Sequence, residues 1–81
     1  MNILSKGING NYILTHHGRP VQVNQVIHTD RGSYIVLGGS APHTEASTGR
    51  VNVRDAIPKP GTISDRSFFP GVVDCKWELN V

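Results

Sequence analysis

The chain is poor in the residues that most often announce a function. It has one cysteine, one tryptophan, two tyrosines and two phenylalanines in 81 residues. A single cysteine excludes an internal disulfide framework, and so few rings leave no evident stacking platform for single-stranded nucleic acid. Neither sign of charge dominates: eight Lys plus Arg against six Asp plus Glu give a net charge of +2, too little to grip a phosphate backbone without sequence preference. No apolar run approaches the length of a membrane span, and the opening residues Met1 to Gly7 lack the apolar stretch of a secretion signal. These absences lead to the expectation of a cytoplasmic protein with no membrane partner.

Long windows free of helix breakers are also missing, because nine Gly and five Pro interrupt the chain every few positions. Short strands are the alternative. The clearest lies at the end, where Val73, Cys75, Trp77 and Leu79 alternate with Asp74, Lys76, Glu78 and Asn80, the period of a strand with one buried face. That pattern sends the lone tryptophan and the lone cysteine into the core. Four more strands are expected: Gly10 to Thr15, closed by a Gly18-Arg19-Pro20 boundary; Val21 to Thr29, with a β-bulge at Asn24 and Gln25 to explain a slip in phase; Ser33 to Leu37; and Arg50 to Asp55, with Val51 and Val53 inward. Asp30 to Ser33 reads as a tight turn in which Gly32 supplies a positive φ. The run Tyr34 to Leu37 is apolar on both faces, as in a central strand or one at an oligomer contact. Residues 1–9 read as a flexible N-terminal segment. Gly38 to Gly49 carries no strand signal, Ile57 to Gly61 is a break, and the stretch from there to Gly71 reads as loop, with Phe68 and Phe69 plugging an open end.

The expected architecture is a single all-β domain over residues 1–81: a small five-stranded antiparallel barrel or roll with long loops. A chain of this size buries only about 60 to 65% of its unfolded surface, so an isolated monomer should hold about 3 to 5 kcal/mol. Assembly into a homo-oligomer would add to that.

Most of the chemistry gathers on the long loop and the strand after it. Ser47, Thr48 and Gly49 are suited to a concave set of backbone N–H groups, and Arg50 adds a planar fork for a carboxylate or phosphate, with His43 on the same segment. Arg54 shares a strand face with Arg50 and Asn52. The competing readings are a hairpin tip with ordinary turn chemistry and a solvated strand face. His16 and His17 are adjacent, so on a regular strand they point to opposite faces and make a poor metal pair. No Ser, His and Asp spacing recommends an activated nucleophile. The expectation is therefore no enzyme, no metal and no cofactor.

The series Gly38 to His43, Ser47 to Val51, Phe68 to Pro70 and the Trp77 strand resembles short, mostly uncharacterised proteins encoded by tailed phages and prophages. The resemblance implies an accessory or host-interaction role exercised by binding. Four readings follow from it and from the residues. The first is a non-enzymatic module for a protein partner, presenting His43, Ser47, Thr48, Gly49, Arg50 and Arg54. The second is a binder of a nucleotide or other small anion at the 47–50 corner, acting against a host signal. Nucleic-acid binding and a structural place in the virion are the third and fourth.

Overall fold

A computed structural model describes residues 1–57, 60–61 and 65–80. Eight strands and one short 3-10 helix follow in order: β1 Leu4–Gly7, β2 Gly10–His16, β3 Arg19–Pro20, β4 Val26–Thr29, β5 Gly32–Ser40, β6 Arg50–Asp55, β7 Asp65–Phe68, the helix Pro70–Val73, and β8 Cys75–Leu79. They form two antiparallel four-stranded sheets. In the first, β2 carries β1 and β3 on one side and pairs with β8; the second runs β4-β5-β6-β7. The all-β reading holds, but the sheets are not closed into a barrel.

The departures from expectation have local causes. Asn24 adopts φ 67°, and Gln25 N–H donates to the Gln22 carbonyl at 3.1 Å. The slip in phase at Asn24 and Gln25 is therefore a β-turn rather than a bulge, and it carries the chain from one sheet to the other. The bulge sits instead in β5, where the register shifts between Val36 and Gly38. His17 and Gly18 both have positive φ, 52° and 78°, and Thr15 and His16 pair with Pro20 and Arg19. This is a two-residue hairpin turn of the type whose twist suits its strands. Pro20 is tolerated there because β3 is short and exposed. The Asp30 turn forms as expected, joining Thr29 to Gly32.

The first nine residues contain strand β1, paired with β2 over Leu4 to Gly7, and Ile3 is buried. Gly38 to Ser40 belong to β5, so the loop runs only from Ala41 to Gly49. The stretch read as loop before Pro70 contains β7. Of the Ile57 to Gly61 break, Pro58 and Lys59 lie outside the described residues, as does Val81 at the end of the terminal alternation. That alternation is a strand only from Cys75 onward. Val73 reaches the core from the 3-10 helix, which ends at Asp74 in the left-handed conformation, φ 57°.

The core lies between the sheets. Leu14, Val21, Ile27, Val36, Val51, Val53 and Val73 have almost no exposed surface, and Tyr12, Tyr34, Ala41, Cys75 and Trp77 join them. Trp77 closes the seam: its indole N–H donates to the Arg50 carbonyl at 3.2 Å. Two glycines make room for that ring. A Cβ on Gly39 would collide with the Arg50 carbonyl and crowd Trp77 Cζ2, and one on Gly49 would lie 2.7 Å from Trp77 Cδ1. Gly49 also has φ 80°, a conformation that costs other residues about 1–2 kcal/mol. Among the described residues no helix is long and apolar enough to cross a membrane.

Candidate functional site

The loop from Ala41 to Gly49 is tied down at both ends. Ala41 is buried and its N–H donates to Ser5 Oγ at 3.0 Å, while the Pro42 carbonyl accepts from Ile8 N–H at 2.8 Å. Gly49 lies buried under Trp77. Between these anchors His43 to Thr48 are exposed. Ser47 N–H donates to the Thr44 carbonyl at 3.1 Å, and Gly49 N–H donates to Ser47 Oγ at 3.1 Å. The Ser47 hydroxyl thus closes a local turn, and two of the three N–H groups expected to cradle an anion, those of Ser47 and Gly49, are already bonded.

The residues expected to act together separate onto two surfaces. Ser47 and Thr48 line a 360 Å³ cavity with Pro42, Pro70, Cys75 and Trp77, and His43 is not among its walls. Arg50 and Arg54 stand on the opposite face of β6 from Val51 and Val53, as their alternation required. There both guanidinium groups are engaged. Arg50 donates through Nε to Ser67 Oγ at 2.9 Å and through Nη2 to the Ser67 carbonyl at 3.1 Å. Arg54 forks onto Asp65, with Nε 2.7 Å from Oδ1. The hydrogen bond from Arg54 holds the Asp65 carboxyl below its usual range, and the same bond raises Arg54. On the other face Arg66 forks onto Asp55, with Nε 3.0 Å from Oδ1.

Strand β7 supplies every one of these partners, and sequence reasoning missed it. A signal was present. Arg54 and Asp55 are mirrored by Asp65 and Arg66, and antiparallel pairing of Arg54 with Asp65 and Val53 with Arg66 converts that mirror into two ion pairs.

The two phenylalanines also separate. Phe68 packs on the core edge, edge-to-face with Tyr34 at 5.5 Å between centroids. Phe69 is 58% exposed, and the Arg50 guanidinium carbon lies 4.8 Å above its ring centroid. Neither ring plugs a barrel end. The result is a platform on the outer side of β6 and β7: an exposed ring, a guanidinium fixed above it by Ser67, and beside it a hollow of 480 Å³ walled by Leu37, Gly38, Asn52, Asp65 and Ser67 among others.

The reactive groups elsewhere are restrained. Burial, with a smaller contribution from the Asp74 charge, pushes the Cys75 thiol up to about 11, far from the thiolate that a nucleophile needs at neutral pH. The His16 and His17 rings meet edge-on at 4.2 Å because the backbone turns at His17. No group of three or more metal-ligating side chains forms among the described residues. No family, curated relative or solved structure matches the chain.

Proposed function

We propose that this protein is a non-enzymatic binding module whose recognition surface is the outer face of β6 and β7, centred on Arg50 and Phe69, and that its partner is a protein. The observation that carries the reading is the exposed Phe69 ring beneath a guanidinium that Ser67 holds in place. Aromatic and arginine side chains dominate the energetics of protein interfaces. A fixed guanidinium has also lost part of its rotamer freedom before the partner arrives, which lowers the cost of docking. The neighbouring hollow offers a place for a side chain of the partner. The setting implied by the resemblance, an accessory protein of a tailed phage acting in the host cytoplasm, belongs to the same proposal.

Against the small-anion reading stand the bonds already made by Arg50, Arg54 and Ser47. A thermal-shift panel of nucleotides and cyclic dinucleotides tests it. A ligand present at about 100 times its dissociation constant would add about 2.7 kcal/mol, and the protein-partner reading expects no shift. For the partner itself, quantitative affinity capture from host lysate should compare the wild type with Phe69→Ser and Arg50→Ala. A protein retained by the wild type and lost from both variants, with melting curves little changed, supports the assignment. Equal retention on all three overturns it.

A further inference from the structure

The 360 Å³ cavity beside Trp77 shares no wall with the hollow next to Arg50. Its size falls within the range of about 300–1,000 Å³ typical of small-molecule sites, and its walls include Pro42 and Thr48 of the loop, Pro70 of the 3-10 helix, and Cys75 and Trp77 of β8. The chemistry of the β8 wall follows from the phase of its pairing with β2. Asn80 N–H donates to the Asn11 carbonyl at 2.9 Å, and the Lys76 carbonyl accepts from Thr15 Oγ1 at 3.2 Å, so residues 76, 78 and 80 turn their backbone groups toward β2. Cys75 and Trp77 turn theirs the other way. No residue of β2 lines the cavity, which lies on that other side. Both residues are buried, and buried backbone N–H and C=O groups almost always have a partner. Among the described residues these find none. Pro42 and Pro70 have no N–H to offer, and the N–H groups of Ser47 and Gly49 are bonded within the loop.

We propose that this cavity binds a small neutral amide, a molecule the size of one amino-acid residue flanked by two peptide groups. Trp77 offers one N–H donor and one C=O acceptor on the same side of an extended backbone. The group that answers both at once is the N–H and C=O of another extended residue, as in a hydrogen-bonded antiparallel pair. The loop and the 3-10 helix close the space around it, so a short molecule fits where a strand does not. Charge gives no support to an ion. The ionisable side chains among the walls are Lys76 and Cys75. Lys76 is exposed and alternates onto the outer face of β8, and the Cys75 thiol donates to the Val73 carbonyl at 3.5 Å. The two proline rings and Trp77 make the remaining walls largely apolar, which suits an aliphatic side chain on the ligand.

Titration of the full chain, labelled with nitrogen-15, with N-acetyl-leucine N-methylamide tests the site by NMR. A probe of this size should bind with a Kd on the order of 1 mM. The Trp77 amide signal should shift most, those of Cys75, Thr48 and Gly71 less, and those of Ser67 and Phe69 not at all. An ester analogue, in which oxygen replaces the leucine N–H, keeps the shape of the probe and lacks its donor. It should bind about tenfold more weakly, because the Trp77 carbonyl is then left unpaired. If no shift appears at these amides up to about 50 mM probe, ordered water satisfies the backbone groups and the inference is overturned. Equal binding of the ester, or shifts confined to the Arg50 and Phe69 platform, would overturn it as well.

Discussion

Trp77 and Phe69 lie on either side of Arg50 and are treated in opposite ways. Trp77 is 6% exposed and its indole donates to the Arg50 carbonyl; Phe69 is 58% exposed and its ring lies under the Arg50 guanidinium. The backbone of this residue belongs to the seam between the sheets, and its side chain belongs to the surface. The contrast shows how so small a domain keeps a large aromatic group in solvent: the ring is a short step along the chain from a core tightly fitted around another ring. Substitutions on the Trp77 side should therefore act on stability, and those on the Phe69 side on binding.

The largest effect expected is from Trp77→Ala. Removing a buried tryptophan costs about 3–5 kcal/mol, comparable to the whole stability expected of such a chain, so urea titration followed by circular dichroism should show no folded baseline. Gly49→Ala comes next, at about 2 kcal/mol, from its left-handed backbone and from crowding of the Ser40 carbonyl and the indole. Gly18→Ala is its control. That residue has a similar φ of 78° but open space around its Cβ position, and should cost about 1 kcal/mol. Equal losses from the two would mean that neither the Ser40 carbonyl nor the ring crowds that position.

A third prediction concerns pH. The folded Cys75 thiol ionises near 11 and an unfolded one near its ordinary 9.0. The contribution is therefore fully present below pH 9 and declines as pH rises toward 11, because the unfolded state releases its proton first. Urea midpoints should fall over that interval in the wild type and change less in Cys75→Ala. The smallest stability effect is expected from Arg50→Ala. Loss of an exposed cation–π contact costs about 0.5–1 kcal/mol, yet partner capture should disappear.

Legibility in the sequence followed the strength of the period-two pattern. Val51 and Val53 inward with Arg50, Asn52 and Arg54 outward could be read directly, and so could the burial of Cys75 and Trp77, because each strand has one apolar face. Strand β7 could not, because Asp65, Arg66 and Ser67 are polar on both faces and only Phe68 meets the core. The mirrored charges that pin it to β6 make sense only once the two segments are set antiparallel. Gly49 read as part of a concave set of N–H groups or as turn chemistry, whereas Gly39 and Gly49 are absences of side chain where backbone carbonyls and the indole come close. That role depends on Trp77, 28 positions from Gly49 and 38 from Gly39, and no local pattern carries it. The two-sheet division was hidden for a similar reason: a turn at Asn24 and a bulge produce the same slip in phase.

The central claim is that the sheets close on the indole and thereby fix Arg50. Its most direct test is hydrogen exchange of the indole N–H by NMR, where a single tryptophan gives a single resonance. The account predicts one sharp signal whose exchange is as slow as that of the most protected core amides, opening only with global unfolding. Exchange at the rate of a free indole, under conditions where the core amides remain protected, would contradict it.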